Sequence, residues 1–151
     1  MNYVFFDLEA SGASTSFDSV LEIYAKLVDE EFNELDDFHG RARLTEGVIP
    51  NLTAVMEVCK ISADTLTNTN KSNFELLLDA EKKFKSWGKV IFFGYNSTNY
   101  DIEVIRKWLF KSLKKPYLTN TKGNKQGDVL NIIRSAKLVD DKIIQTKMSA
   151  K

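Results

Sequence analysis

Two carboxylates separated by a single residue, Asp7 and Glu9, stand in the segment FFDLEASG near the start of the chain. In an extended strand, side chains at i and i+2 project from one face, so this pair would stand side by side at the strand's end. Carboxylates held that close repel unless positive charge lies between them. A divalent cation is the natural partner, and a pair of metals can activate a water and stabilise a departing oxygen in phosphodiester hydrolysis. Acidic pairs are common, and an isolated Asp-x-Glu reads as ordinary surface chemistry. Here an apolar strand runs straight into a loop of small residues, which leaves room for a nucleotide near the backbone. A third carboxylate, Asp101, closes the segment GYNSTNYD at the expected start of a helix, where it is either a cap or a further member of the same site.

Composition narrows the chemistry. The chain has 151 residues, 43% of them hydrophobic and 28% charged, which suits one soluble domain with a real core. No apolar run reaches bilayer length and no leader is expected at the front, so the sequence predicts a cytoplasmic protein without a membrane span. Cys59 is the single cysteine and His39 the single histidine. A disulfide within the chain and a cysteine-based zinc site are excluded, so metal chemistry would rest on oxygen ligands. The net charge of zero hides an asymmetry: residues 1–50 hold 3 basic and 11 acidic side chains, whereas residues 101–151 hold 12 basic and 5 acidic. An acidic front could hold cations and a basic rear could attract phosphates, although most such charges simply face solvent.

The pattern predicts strands over residues 3–8 and 20–28, a hairpin turn over 29–34, and a third strand over 38–44. Pro50 and Asn51 open a short helix through Val58, and 62–73 reads as a polar connection. Helical spacing of Phe74, Leu77, Leu78, Phe84 and Trp87 predicts an amphipathic helix that stops at Gly88. A buried strand over 90–95 and a helix over 102–113 follow. Residues 119–127 form a polar loop, and Asp128 caps a last helix bearing Val129, Ile132, Ile133 and Ala136. The order implies an α/β protein with a sheet of mixed direction and an antiparallel front edge.

FFDLEASG resembles the first motif of the DEDD-type 3′→5′ exonucleases. GYNSTNYDIEVIRKWLFKSLKKPY resembles more specifically the second motif of the bacterial exodeoxyribonuclease I family, and EFNELDDF and IPNLTAV…KISADTL are similar to that family's hairpin and following helix-loop. Oligoribonuclease and polymerase proofreading subunits share the first motif but not the Gly-Tyr-Asn through Pro-Tyr pattern. The resemblance implies a ribonuclease H-like mixed sheet, with three antiparallel strands followed by a parallel strand and flanking helices. It makes Asp7, Glu9 and Asp101 catalytic residues and ligands of a two-metal Mg²⁺ site, in which Mn²⁺ can substitute. It makes Glu9, Arg106, Tyr117, Arg134 and Lys147 contacts to the substrate. The arginines would pair with phosphates and the tyrosine would stack on a base. Read alone, Arg106 and Arg134 are solvated helix arginines, Tyr117 a core or rim aromatic, and Lys147 a lysine near the terminus.

The implied activity is removal of nucleotides from the 3′ end of single-stranded DNA with release of 5′-mononucleotides, in DNA repair or recombination and beside single-strand binding protein. Two departures qualify it. Ala10 stands where the family usually has Thr, and no His with an Asp four or five residues on follows Asp101, where the family places its general base and last metal ligand. His39 lies too far upstream to fill that role and reads as a half-buried or surface residue, and Asp140 and Asp141 as a solvated turn. Residues 1–151 are therefore expected to form a single, partial exonuclease domain, incomplete at its C-terminal side, with impaired activity on its own. The alternative is an inactive, exonuclease-like module that grips single-stranded nucleic acid.

Overall fold

A computed structural model describes residues 1–139. Five strands form one sheet in the order β3-β2-β1-β4-β5. β1 (Tyr3–Ala10), β2 (Val20–Val28) and β3 (Glu34–Arg41) pair antiparallel, while β4 (Ile91–Gly94) and β5 (Lys125–Asp128) continue the sheet parallel to β1. This is the mixed sheet with an antiparallel front edge expected from the sequence, with one further strand.

Alternation along β1 separates the two faces. Val4, Phe6, Leu8 and Ala10 are buried, and their partners Leu27, Ala25 and Ile23 on β2 share that face. Helices α2 (Asn73–Ser86) and α3 (Asp101–Lys111) cover it, inserting Leu76, Leu77, Ala80 and Phe84 from one and Ile105, Trp108 and Leu109 from the other. The opposite face carries Tyr3, Phe5, Asp7 and Glu9, with Phe93 of β4 stacked on Phe5. Part of it is roofed by Phe32, which adopts φ +63 in the β2–β3 turn and stacks on Tyr3.

Four expected boundaries move. β3 begins at Glu34 rather than Phe38 because Asp29 closes a tight turn, accepting from the amides of Glu31 and Asn33, so pairing resumes sooner. The helix expected from Pro50 shrinks to a π-type turn over Ala54–Val58. The polar connection holds a helix, α1 (Ala63–Asn68), started by Ser62, whose hydroxyl accepts from the amide of Thr65. The polar loop before Asp128 yields β5, which forms because β4 offers an open edge rather than because KQGD favours a strand. The last helix, α4 (Val129–Val139), forms as expected but buries none of its residues, and Ile132, Leu138 and Val139 are exposed. Among the described residues no helix is long and apolar enough to cross a membrane.

Candidate metal centre

The end of β1 and the loop after β4 meet at one cleft. Asp7 and Glu9 lie on the open face of β1, and Asp101 is the first residue of α3. All three line this cleft, together with Phe93, Tyr95, Asn96 and Tyr100. A register shift between Glu9 and Ala10 marks a bulge where β1 leaves its partner, a device that redirects side chains beside a site. Gly94 allows the turn that follows: a Cβ there would stand 2.5 Å from that of Ser97. The Tyr100 hydroxyl then donates to the Gly12 carbonyl at 2.5 Å, tying the end of this loop to the end of β1 across 88 residues of sequence.

The electrostatics are those of like charges held together. Asp101 is 5% exposed, and its carboxyl is pushed up to about 7, first by desolvation and then by the charge of Asp7. Its place at a helix N-terminus favours the ionised form, but burial and the neighbouring carboxylates outweigh that. Although Asp7 reaches solvent, the surrounding protein displaces enough water to raise its carboxyl as well. Glu9 is raised by desolvation, with Asp7 and Glu22 adding repulsion and the nearby Cys59 thiol, which itself donates to the Ala10 carbonyl, opposing. Burial and Glu9 in turn push the Cys59 thiol up to about 12, so it stays protonated and able to donate. Oxygen donors that resist ionisation in one another's presence fit a hard divalent cation such as Mg²⁺ or Mn²⁺. The three do not close into a cage: among the described residues no group of three or more His, Cys, Asp or Glu is gathered tightly enough to hold an ion.

The remaining predicted residues are placed as follows. Arg106 and Tyr117 come together, the guanidinium lying 5.4 Å from the ring centroid, and Arg106 also donates to Glu103 at 2.8 Å. The Nε of Arg106 is buried without a partner among the described residues, and Tyr117 is 53% exposed. Arg134 is exposed on α4, with no contact to this pair recorded among the described residues, and Lys147, Asp140 and Asp141 lie outside those residues. His39 is half exposed on β3, where its Nε2 pairs with Glu22, two strands from Asp7.

Sequence reasoning passed over Glu22, Cys59 and Tyr100. Glu22 was findable, because it sits directly across from Glu9 in the antiparallel register. Cys59 reaches the site through tertiary folding alone, whereas Tyr100 adjoins Asp101 in the motif and only its bond to Gly12 is tertiary. The absent side chain of Gly12 also has another use: the Asp18 carboxylate fills that space, 2.7 Å from where a Cβ would sit. It is therefore not open for a nucleotide.

A mixed sheet with two carboxylates at the end of its central strand and a third at the start of α3, the helix that follows β4, matches the nuclease fold that these motifs resemble. No family model matches the chain. It is 25% identical over 141 residues to the exodeoxyribonuclease I of Buchnera aphidicola subsp. Schizaphis graminum, covering 89% of this chain and 28% of that protein. A zinc-bound complex of E. coli exonuclease I with single-stranded DNA superposes with a TM-score of 0.85 at 20% identity, over 93% of this chain and 30% of the other. A complex of exonuclease I with SSB-Ct gives 0.85 at 20% identity, over 93% and 31%. The chain thus has the exonuclease I fold and spans less than a third of the relatives it matches.

Proposed function

We propose that Asp7, Glu9 and Asp101 bind divalent metal, with Mg²⁺ the physiological ion and Mn²⁺ a substitute, in a 3′→5′ exodeoxyribonuclease acting on single-stranded DNA in repair or recombination. The observation that carries this reading is the convergence of three carboxylates on one cleft, where burial raises all of them and repulsion from neighbouring carboxylates adds to it at Glu9 and Asp101. A divalent cation bound there would neutralise the cluster, lower the pKa of a coordinated water and stabilise the departing 3′ oxygen. The chain's own part is to hold three oxygens on a rigid strand and a helix start, and to keep apolar Phe5 and Phe93 beside them. Arg106 of α3 and Tyr117, in the loop that follows, would pair with a phosphate and stack on a base, and Arg134 and Lys147 are taken as further substrate contacts. Residues 1–151 would be one partial nuclease domain, and single-strand binding protein a partner of the whole enzyme.

The test is a Mn²⁺ titration by calorimetry alongside digestion of a 3′-labelled oligonucleotide. Wild type is expected to bind Mn²⁺ in a manner lost in Asp7→Ala. Equal binding by both would overturn the assignment of the carboxylates.

A second reading, a module that grips single strands without cutting them, is favoured by the incomplete cage and by the lack of a histidine at the cleft among the described residues. Salt-sensitive DNA binding without Mn²⁺-dependent loss of the 3′ label would select it.

A further inference from the structure

Asp128 ends β5 and is 6% exposed. Its carboxylate is saturated with backbone donors: Oδ1 accepts from the amides of Asn96 at 3.0 Å and Leu130 at 2.9 Å, and Oδ2 from that of Thr98 at 3.0 Å. Burial raises its pKa, but the bonds from Thr98 and Leu130 prevail and leave it lowered, so the group stays ionised. The bond to Leu130 caps α4, and capping needs only that one. The other two reach 32 and 30 residues back along the chain, into the segment between β4 and α3. That segment has no ladder of its own, and Asn96 adopts φ +55 within it. Asp101 follows immediately; turn bonds from the Tyr100 and Ile102 amides to the Ser97 carbonyl shape the backbone that aims its carboxylate, and that turn is tied to the β5 side by Asp128 and to the β1 side by the Tyr100 hydroxyl.

We propose that Asp128 is a positioning residue for the metal centre, orienting Asp101 by clamping the amides of Asn96 and Thr98. The proposal rests on the reading of Asp7, Glu9 and Asp101 as a cation site. Partners of metal ligands typically change metal affinity by 10- to 100-fold when removed. Here the partner acts on the ligand's backbone rather than on its side chain.

The 151-residue chain is titrated with Mn²⁺ as wild type, D7N, D128N, D128S and N124A, each also unfolded in denaturant. Asparagine replaces one acceptor oxygen with a donor that opposes an amide. Serine preserves a cap for α4 but cannot span to the loop. Asn124 is the control, because it joins the other end of the same strands, accepting from the Val90 amide at 3.2 Å and donating to the Leu118 carbonyl at 3.1 Å. We expect D128N and D128S to weaken Mn²⁺ about tenfold, by the same factor at low and high salt, and N124A to lose stability while keeping its affinity. Unchanged Mn²⁺ affinity in both Asp128 variants overturns the proposal while the cation site stands. So does a loss in N124A equal to theirs, or a loss that salt abolishes, which would mark the charge of Asp128 rather than its geometry. If wild type and D7N bind alike, the cation site itself is refuted and Asp128 has nothing to position.

Discussion

Asp101 carries the most strained ionisation in the site. Its carboxyl is raised from the ordinary 3.8 to about 7, so folding favours its protonated form. The stability tied to that preference is fully present below the ordinary value and is lost as pH rises through the folded one. In metal-free protein near pH ~8, Asp101→Asn is therefore expected to raise the melting temperature by several degrees, an advantage that disappears near pH ~4. Added Mn²⁺ should reverse the order, stabilising wild type and leaving the variant unmoved. Thermal melts at two pH values, with and without the ion, check this, and a variant that melts below wild type in the metal-free alkaline sample contradicts it. Tyr100→Phe tests the other restraint: loss of the bond to the Gly12 carbonyl should cost about 1 kcal/mol in denaturant unfolding.

Elements differ in how far their own residues dictate them. α2 is self-declaring: Ser72 accepts from the Glu75 amide, the Glu75 side chain answers to the Ser72 amide, and apolar residues recur at helical spacing until Gly88. Ser72→Ala should accordingly lower stability by about 1 kcal/mol, read from the denaturation midpoint. β1, β2, β4 and α3 were legible for the same reason, since each carries a periodic apolar pattern between breakers. β5 was not, because KQGD has no apolar or β-branched residue and becomes a strand only by pairing with β4. It also depends on a missing side chain. A Cβ on Gly127 would stand 2.0 Å from the Phe93 ring, so Gly127→Ala should displace β5 and destabilise the fold by more than the Ser72 variant. α1 was hidden because six residues, ADTLTN, show too little period to outweigh their polarity. The site divides along the same line: Asp7, Glu9 and Asp101 were found from strand alternation and motif, whereas Cys59 is brought in from a distant segment, and Tyr100, although in the motif beside Asp101, shows its tie to Gly12 only in the folded chain.

Across the whole molecule, the acidic first third supplies Asp7 and Glu9 to the cleft, and the basic last third supplies Asp101 together with Arg106 beside Tyr117. If this pair follows a nucleic-acid backbone, single-stranded DNA binding should weaken with salt, and Arg106→Ala should reduce the slope of log affinity against log salt by roughly 0.7, one phosphate's worth. Fluorescence anisotropy of a labelled oligonucleotide at graded salt measures it, and an unchanged slope would remove Arg106 from the interface. The sheet order adds a kinetic asymmetry to this site. β1 lies mid-sheet, but only Tyr3–Phe5 is flanked by both β2 and β4, whereas Asp7 and Glu9 pair with β2 alone, so the amides of that doubly paired stretch should be among the last to exchange. β5 is an edge strand of four residues, continued by a helix that buries nothing, and should open far more often. Two of the three carboxylates thus stand just past the slowest-opening stretch of the sheet, while the clamp beside the third belongs to one of the fastest-opening.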